Sequence, residues 1–409
     1  MYKPLDPICE VTKLTKIRAA ALVCIITSFF FSLGLSYITK PLVRKIYSTS
    51  LGFVINFYFW GIAAWFNLFL VISTYLIMLV LPRNLASKAM VWWAGSILLF
   101  VHYYYYTAPV ERTTGMFLPL MFSFAKIHMV SWNLYDAGLL LDPEASKYMT
   151  DREKHYAEAC IEKPGFLDWI HYLYFVSTCG AGPMHEYRDF IDFINYTCDI
   201  KSMPVGANLC PALQRFGESL VSVVVFLVLS QKIPATYMQT DDFVTEPMSY
   251  KVFLLIASMH ITIFYHYFVF GGWESNLIAS GFSYRHGEIS QFNSVRGVKC
   301  VSFSTALTGT QATTTWNMNT GAWLKYYLQM RLIDRSKPRH VIQLWPVASV
   351  FIGSSVWHGP ELGFACFFLT LFLNSVIAKF FEKTIVADRI NRWVPYSVQF
   401  IPLWIWNYF

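Results

Sequence analysis

A histidine at position 358 is the residue that the sequence favours most for acid–base chemistry. It lies in the segment SSVWHGPE, which has long apolar, almost uncharged stretches on both sides. Gly359 and Pro360 follow it directly. Proline lacks a backbone donor and disfavours helix in the residue before it, so we expect a helix to end here. Irregular backbone at membrane depth persists only when it is buried in protein or lines a water-filled cavity.

Two interpretations of His358 follow from this placement. A neutral imidazole at such a break is suited to take a proton as a general base, because burial disfavours its charged form. The alternative is a hydrogen-bonded turn histidine at the membrane face.

A second segment, TTTWNMNTGAWLK at residues 313–325, combines tryptophan with carboxamide side chains. On a continuous helix, Trp316, Asn319 and Trp323 fall near one face. The Asn317 side chain could donate to a carbonyl oxygen that gains negative charge during a reaction. The alternative is an interfacial amphipathic helix that is anchored by its tryptophans and carries Lys325 and Arg331 against water or lipid headgroups.

A third segment, CGAGPMHEYRDFIDF at residues 179–193, includes Tyr187. Its Gly-Ala-Gly-Pro run predicts the end of a helix, followed by an amphipathic stretch. It lacks the features of a phosphate-binding loop. His260 and His266 are six residues apart, which does not suit convergence on a metal, and we predict no metal site. The eight cysteines form no CxxC pair, which favours buried or free thiols over a disulfide.

The amino-acid composition indicates the class of protein in which these residues are positioned. Of the 409 residues, 55% are hydrophobic, 18% aromatic and only 14% charged, and the mean hydropathy is +0.41. These values exclude a disordered chain, a fibrous repeat and a disulfide-stapled secreted module. The net charge of +7 comes from short basic clusters between apolar runs, which is typical of cytoplasmic loops that face anionic lipids rather than of nucleic-acid binding.

The apolar runs predict an all-α polytopic membrane protein with about ten to eleven membrane segments, some of them short or broken. Gly61 is expected to divide the long run 51–81 into two helices. Polar residues in the run 116–134, with Asp136 just beyond it, should face the protein interior. We expect 141–164 to be a surface segment and 271–298 to be a loop. The last apolar segments predicted are 341–357, 362–378 and 394–409.

The three segments together resemble the membrane-bound O-acyltransferase (MBOAT) superfamily. Trp316-Asn317 and Trp357-His358-Gly359, about forty positions apart, are similar to the paired Asn and His motifs of that family. The stretch from Ala181 to Phe193, and the helix through Lys126 to Gly138, resemble its lysophospholipid acyltransferase branch. Ala137 and residues 184–186 depart from the branch pattern, which leaves the headgroup preference open.

The resemblance implies a single domain over residues 1–409, with helices around a central catalytic chamber. It implies that His358 is the general base and that Asn317 positions the acyl group or stabilises the oxyanion. It further implies substrate-binding roles for five residues: Trp316, Trp323, Lys325, Arg331 and Tyr187. The expected substrates are acyl-CoA, as a co-substrate with no separate cofactor, and a lysophospholipid. Membrane lipids are the other expected partners.

The sequence therefore predicts an acyl-CoA:lysophospholipid O-acyltransferase of an internal membrane, the endoplasmic reticulum. Three alternatives stay open. The chain could acylate a protein or peptide, as other branches of the superfamily do. It could be a transporter or channel that uses intramembrane His and Lys, although no repeat of the kind found in many transporters is visible. It could be a catalytically silent relative that binds lipid or partners.

Overall fold

A computed structural model describes residues 5–107, 117–180, 182–288, 291–306, 309–337 and 343–381. Every regular element in these residues is helical, which confirms the all-α prediction. The α-helices are α1 Asp6–Thr12, α2 Lys16–Ser36, α3 Pro41–Trp60, α4 Ile62–Val80, α5 Arg83–Thr107, α6 Phe117–Leu140, α7 Pro143–Ser146, α8 Asp151–Ala157, α9 Phe166–Leu173, α10 Tyr187–Ile194, α11 Leu209–Lys232, α12 Asp241–Thr245, α13 Met248–Ser280, α14 Cys300–Ser304, α15 Gly309–Thr315, α16 Met318–Leu324, α17 Met330–Leu332, α18 Leu344–His358 and α19 Leu362–Phe381. Short 3₁₀ helices cover Glu158–Cys160, Asp199–Ser202 and Ala235–Gln239, and a π-helical turn covers Lys325–Gln329.

Four of the described helices, namely α2, α5, α11 and α13, are long and apolar enough to cross a membrane. Shorter apolar stretches cover Ala64–Val80 and Leu362–Ile377. About 20 residues of helix span a bilayer core, so these shorter stretches would cross it only where the bilayer is thin or the helix is supported by neighbours. The predicted number of membrane segments stays a prediction, and the last of them, 394–409, lies outside the described residues.

The chain forms two compact units. Unit 1 comprises residues 1–9, 14–214 and 273–295, and unit 2 comprises residues 10–13, 215–272 and 296–409. In unit 1, α5 packs along α6, and α4 packs against both. In unit 2, α11 and α13 are joined by a hydrogen bond from Ser219 Oγ to the carbonyl of Phe268 (2.8 Å). Whether the whole chain is one domain stays a prediction.

Gly61 divides the long apolar run, as predicted. Helix α3 ends at Trp60 and α4 begins at Ile62, while Gly61 has φ 51° and ψ −118°. A side chain is strained in this region of conformational space, so glycine is the residue that allows the chain to turn there.

Polar residues of α6 face inward, which also confirms the prediction. Lys126, Asn133 and Asp136 are each at most 2% exposed. His128 is half-buried and accepts a hydrogen bond from Trp132 Nε1 (3.0 Å) on the same helix.

Most residues of the predicted surface segment 141–164 are exposed or half-buried, which confirms the prediction, although Ala157 and Cys160 are buried. Its helix α8 begins with a capping box, in which Thr150 and Glu153 satisfy each other's backbone N–H groups. This reciprocal cap fixes where α8 starts.

The predicted loop at 271–298 is wrong over its first ten residues, because α13 continues to Ser280. Glu274, Ser275 and Asn276 are at most 1% exposed, so their polarity marks a helix packed inside unit 1 rather than a solvated loop. Glycine at position 271 allows Ser219 to pack closely against the helix, because a Cβ at this position would lie 3.3 Å from the Ser219 Cβ.

We predict that Gly61→Ala destabilises the protein by about 1–3 kcal/mol, since a side chain is forced into a left-handed conformation. Gly217→Ala is the matched control, because a Cβ at that helical glycine would meet nothing within 4 Å. The control should leave the melting temperature unchanged or slightly raised. Melting temperatures in detergent check both variants, and an equal melting temperature for wild type and Gly61→Ala would contradict the strained-turn account.

Candidate active site

Asn317 lies at a break between two helices rather than inside one. Helix α15 ends at Thr315 and α16 begins at Met318, and Asn317 has φ 41° and ψ 47°. Asparagine tolerates this left-handed conformation better than most residues. The expectation that Trp316, Asn319 and Trp323 share one face of a continuous helix is therefore wrong.

A short neighbouring segment fixes the break at Asn317. The N–H of Met318 donates to the carbonyl of Gly297 (2.8 Å), and the N–H of Lys299 donates to the carbonyl of Thr315 (3.0 Å). These bonds satisfy backbone groups that the interrupted helix leaves without partners. The turn at Asn317 is consequently held from both sides.

The two tryptophans of this region pack against different neighbours within unit 2. The Trp316 ring lies 4.6 Å from the Phe303 ring, 5.5 Å from Phe270 and 5.6 Å from His266, measured between centroids. Trp323 is 4% exposed. Both therefore belong to packed clusters, and the interpretation of a surface helix with tryptophan anchors does not fit them.

His358 is the last residue of α18, as the Gly-Pro sequence predicts. Gly359 has φ 118° and its N–H donates to the carbonyl of Ser355 (3.1 Å). The half-buried imidazole lies against Phe364 (5.1 Å) and Phe368 (5.2 Å), which are four residues apart on α19. The ring thus has an apolar support on one side of the turn.

The helices that carry Asn317 and His358 pack against one another in unit 2. Helix α15 packs against α19, and α16 packs against α18. The rings of Trp323 and Trp357 meet at 5.3 Å, and Trp357 is the neighbour of His358. Asn317 precedes Trp323 by six residues, roughly 9 Å along a helix axis. The break that holds Asn317, between α15 and α16, and the break that holds His358, between α18 and α19, therefore belong to helices that pack together.

Lys325 and Arg331 lie just after this region, around the π-helical turn. The exposed Lys325 ammonium is 5.4 Å from the Tyr326 ring centroid, and the half-buried Arg331 guanidinium is 5.9 Å from that of Tyr327. Isolated π-turns occur frequently at functional sites. Substrate binding by these two residues stays a prediction.

Tyr187 belongs to unit 1, where it is 4% exposed and begins α10. Its ring packs edge-on against Tyr172 at 5.3 Å. Packing alone accounts for this placement, and a substrate-binding role for Tyr187 stays a prediction.

His260 and His266 hydrogen-bond through Nδ1 to carbonyls of their own helix, those of Ile256 (2.8 Å) and Thr262 (3.0 Å). In the part of the chain that the structure describes, no group of three or more His, Cys, Asp or Glu residues is arranged to hold a metal ion.

Sequence reasoning did not identify the residues that support the two breaks. The sequence pattern could have predicted Phe364 and Phe368, because a spacing of four places them on one helix face beyond the Gly-Pro pair. No pattern could have predicted the backbone contacts of Gly297 and Lys299, because almost any residue can supply an N–H or a carbonyl group.

The fold and the site define a class: an integral membrane protein, all-helical in its described residues, with a histidine and an asparagine at breaks of helices that pack together. The model of the MBOAT, membrane-bound O-acyltransferase family, matches residues 46–394 of the chain. The protein belongs to this family of polytopic membrane proteins.

Several relatives are similar over much of the chain. A lysophospholipid acyltransferase of Schizosaccharomyces pombe is 25% identical over 370 residues, covering 84% of this chain and 68% of the relative. A lysophospholipid acyltransferase of Saccharomyces cerevisiae is 23% identical, covering 69% of this chain and 48% of the relative. Lysophospholipid acyltransferase 6 of Drosophila melanogaster is 24% identical, covering 80% and 46%. The chain spans about half the length of the latter two relatives.

We predict that Trp323→Ala destabilises unit 2 by about 3–5 kcal/mol, because it removes a buried indole and leaves a cavity against Trp357. Trp345→Ala is the control, since Trp345 is 64% exposed on α18. Its loss should change the stability by no more than about 0.5 kcal/mol. Thermal unfolding in detergent measures both variants, and equal effects would show that Trp323 is not a packed residue.

Proposed function

We propose that the protein transfers a long-chain acyl group from acyl-CoA to the free hydroxyl of a lysophospholipid, in the membrane of the endoplasmic reticulum. The family membership supports acyl transfer, and the names of the relatives support the lysophospholipid acceptor. The observation that carries the proposal is the presentation of His358 and Asn317 at helix breaks of adjoining helix pairs.

In this proposal His358 is the general base. Its neutral imidazole removes the proton from the glycerol hydroxyl, and the oxygen attacks the carbonyl carbon of the acyl-CoA thioester. A tetrahedral intermediate forms, with negative charge on the former carbonyl oxygen. When it collapses, the carbon–sulfur bond breaks, and the CoA sulfur takes the proton back from the imidazolium.

Asn317 supports the same step from the neighbouring break. Its amide N–H donates to the oxyanion, which is stabilised most when the donor is fixed before the reaction begins. The backbone bonds from Met318 and Lys299 supply this fixation. An apolar environment, such as that provided by Phe364 and Phe368, limits the access of water, which would otherwise hydrolyse the thioester.

The remaining predicted contacts complete the proposal. Lys325 and Arg331 bind phosphates of CoA at the aqueous side, and Trp316 and Trp323 contribute to substrate binding in unit 2. Tyr187 of unit 1 is assigned a substrate-binding role of its own. A central chamber admits acyl-CoA from the cytosol and the lysolipid from the bilayer.

The decisive test is acylation of lysophospholipids by microsomes that express matched amounts of each variant. His358→Ala should lower the rate at least about 100-fold, as expected for loss of a general base. Asn317→Ala should lower kcat about 100- to 1000-fold with little change in KM, as expected for loss of an oxyanion donor. His260→Ala removes an exposed histidine whose Nδ1 bonds to the Ile256 carbonyl of its own helix, and it should keep wild-type activity.

Other outcomes separate the alternatives. Full activity of His358→Ala would show that the assigned base is wrong. Transfer of labelled acyl groups to a secreted protein but not to lipid would favour a protein or peptide acyltransferase. Solute flux without CoA would favour a transporter, and folded protein without any turnover would favour a silent relative.

A further inference from the structure

A buried arginine joins α11 to the segment that supports the break at Asn317. Arg215 lies in α11, one of the helices apolar enough to cross a membrane, and is 7% exposed. Its Nη2 donates to the carbonyl of Val298 (3.2 Å), and its Nη1 donates to Glu218 Oε2 (2.9 Å) in the same helix. Ionisable side chains retained in a membrane helix usually serve a function. The bond to Val298, which lies 83 positions away in the chain, indicates what that function is.

Val298 is the middle residue of three that precede α14 and belong to no helix. This support segment comprises Gly297, Val298 and Lys299. Its first residue accepts a hydrogen bond from the N–H of Met318 (2.8 Å), and the N–H of its last residue donates to the carbonyl of Thr315 (3.0 Å). These two bonds hold the break at Asn317 from both sides. The support segment is therefore bonded to Arg215 at its centre and to the break at its ends.

Helix α13 packs against both the support segment and Arg215. Val298 is fully buried. A Cβ at Gly297 would lie 3.1 Å from the Phe270 Cβ, and a Cβ at Gly271 would lie 3.6 Å from the Arg215 Cζ. The support segment and the guanidinium group thus lie against consecutive residues of one helix. A shift of the guanidinium group would leave the buried Val298 carbonyl without this donor, which is costly.

Glu218 fixes the direction in which Arg215 points. The planar guanidinium group can bond two acceptors at once in a rigid fork, whereas a lysine ammonium is a point charge on a flexible stem. A partly exposed ion pair within one helix contributes little stability by itself. Its effect here is geometric, because the bond to Glu218 holds the plane of the group so that Nη2 is directed at Val298.

Asn317 requires such a fixed support. A donor to an oxyanion is effective when it is in place before the charge develops, and a displacement of about 1 Å can cost about 100-fold in rate. Asn317 lies between Thr315 and Met318, whose backbone groups are bonded to the support segment. A displacement of this segment would therefore move the Asn317 amide.

We propose that Arg215 is a positioning residue for acyl transfer. By holding the Val298 carbonyl, it fixes the support segment, and with it the Asn317 amide, before the oxyanion forms. Glu218 orients Arg215 for this role. The inference rests on the proposed function and extends it to a residue that acts through Asn317.

The test measures kcat and KM of full-length variants in nanodiscs, with radiolabelled acyl-CoA and a lysophospholipid. Arg215→Met removes both hydrogen bonds and keeps most of the apolar stem. It should lower kcat at least tenfold and change the KM values less than twofold, because a positioning residue affects the transition state and not substrate binding. Arg215→Lys should recover only part of kcat, since it lacks the planar fork.

A double-mutant cycle with Asn317 distinguishes positioning from a general effect on the fold. Asn317→Ala alone should lower kcat, as described above. When Arg215→Met is added to Asn317→Ala, kcat should fall less than threefold further, because the group that Arg215 positions is already absent. A variant that only weakens the fold would instead multiply the two losses.

Hydrogen–deuterium exchange measures the support segment separately from turnover. The N–H groups of Lys299 and Met318 should exchange at least tenfold faster in the Arg215→Met protein, since their carbonyl acceptors are held less firmly. Lys251→Met is the matched control, because Lys251 is a cation of unit 2 that donates to another backbone carbonyl, that of Val244 (2.7 Å). It should change neither kcat nor the exchange rates.

Glu218→Gln is a second variant for the case in which Arg215→Met does not fold. Glu218 is exposed, so the substitution leaves the packed interior unchanged. Loss of its charge should lower kcat about two- to fivefold without raising KM, as expected for loss of one partly exposed ion pair. In the Asn317→Ala background this loss should disappear.

Four results would each overturn the proposal: unchanged kcat in the Arg215→Met protein, losses that multiply in the double variant, unchanged exchange at Lys299 and Met318, or a raised KM for acyl-CoA, which would indicate direct contact with the substrate. The proposed function fails differently. A wild-type protein that acylates no lysophospholipid would refute that function, while faster exchange in the Arg215→Met protein would still show that Arg215 holds the support segment.

Discussion

Satisfaction of backbone hydrogen bonds is the constraint on which this structure depends. A helix that breaks in an apolar environment exposes N–H and carbonyl groups that water cannot reach, so each break requires a specific local solution. At Gly61 and Gly359 the solution is glycine with a positive φ. At Asn317 it is a left-handed asparagine together with backbone bonds to Gly297 and Lys299. Because such breaks are costly, the side chains that they hold are well defined in position.

The satisfaction of hydrogen bonds also differs between unit 2 and unit 1. In unit 2, the break at Asn317 is supported by backbone bonds and that at His358 by aromatic packing, and a reaction needs such rigidity so that donor and base are in place before charge develops. In unit 1, two buried polar atoms near the stretch from Thr178 to Gly180, Trp60 Nε1 and Asn56 Oδ1, have no hydrogen-bond partner among the described residues.

Much of the fold followed from the sequence. The excess of apolar residues determined a helical membrane protein, and Gly61 and the Gly-Pro pair after His358 marked two helix ends through backbone chemistry alone. The inward orientation of Lys126, Asn133 and Asp136 followed from the cost of polar groups in lipid.

Prediction failed where tertiary contacts overrode the local sequence pattern. Residues 271–280 look like a loop because they are polar and contain glycine, yet they are helical, and Glu274, Ser275 and Asn276 are buried within unit 1. The break at Trp316-Asn317 interrupts a segment whose spacing suits a continuous helix.

The sequence by itself determined the class of protein and the helix ends at Gly61 and His358, since these depend on composition and backbone restrictions, and its motifs predicted two residues with useful chemistry. Only the tertiary structure decided that Trp316 and Trp323 lie in separate clusters and that α15 and α16 adjoin α19 and α18. Those facts depend on which distant segments come into contact, and a one-dimensional pattern of residue types does not encode contacts between particular backbone groups.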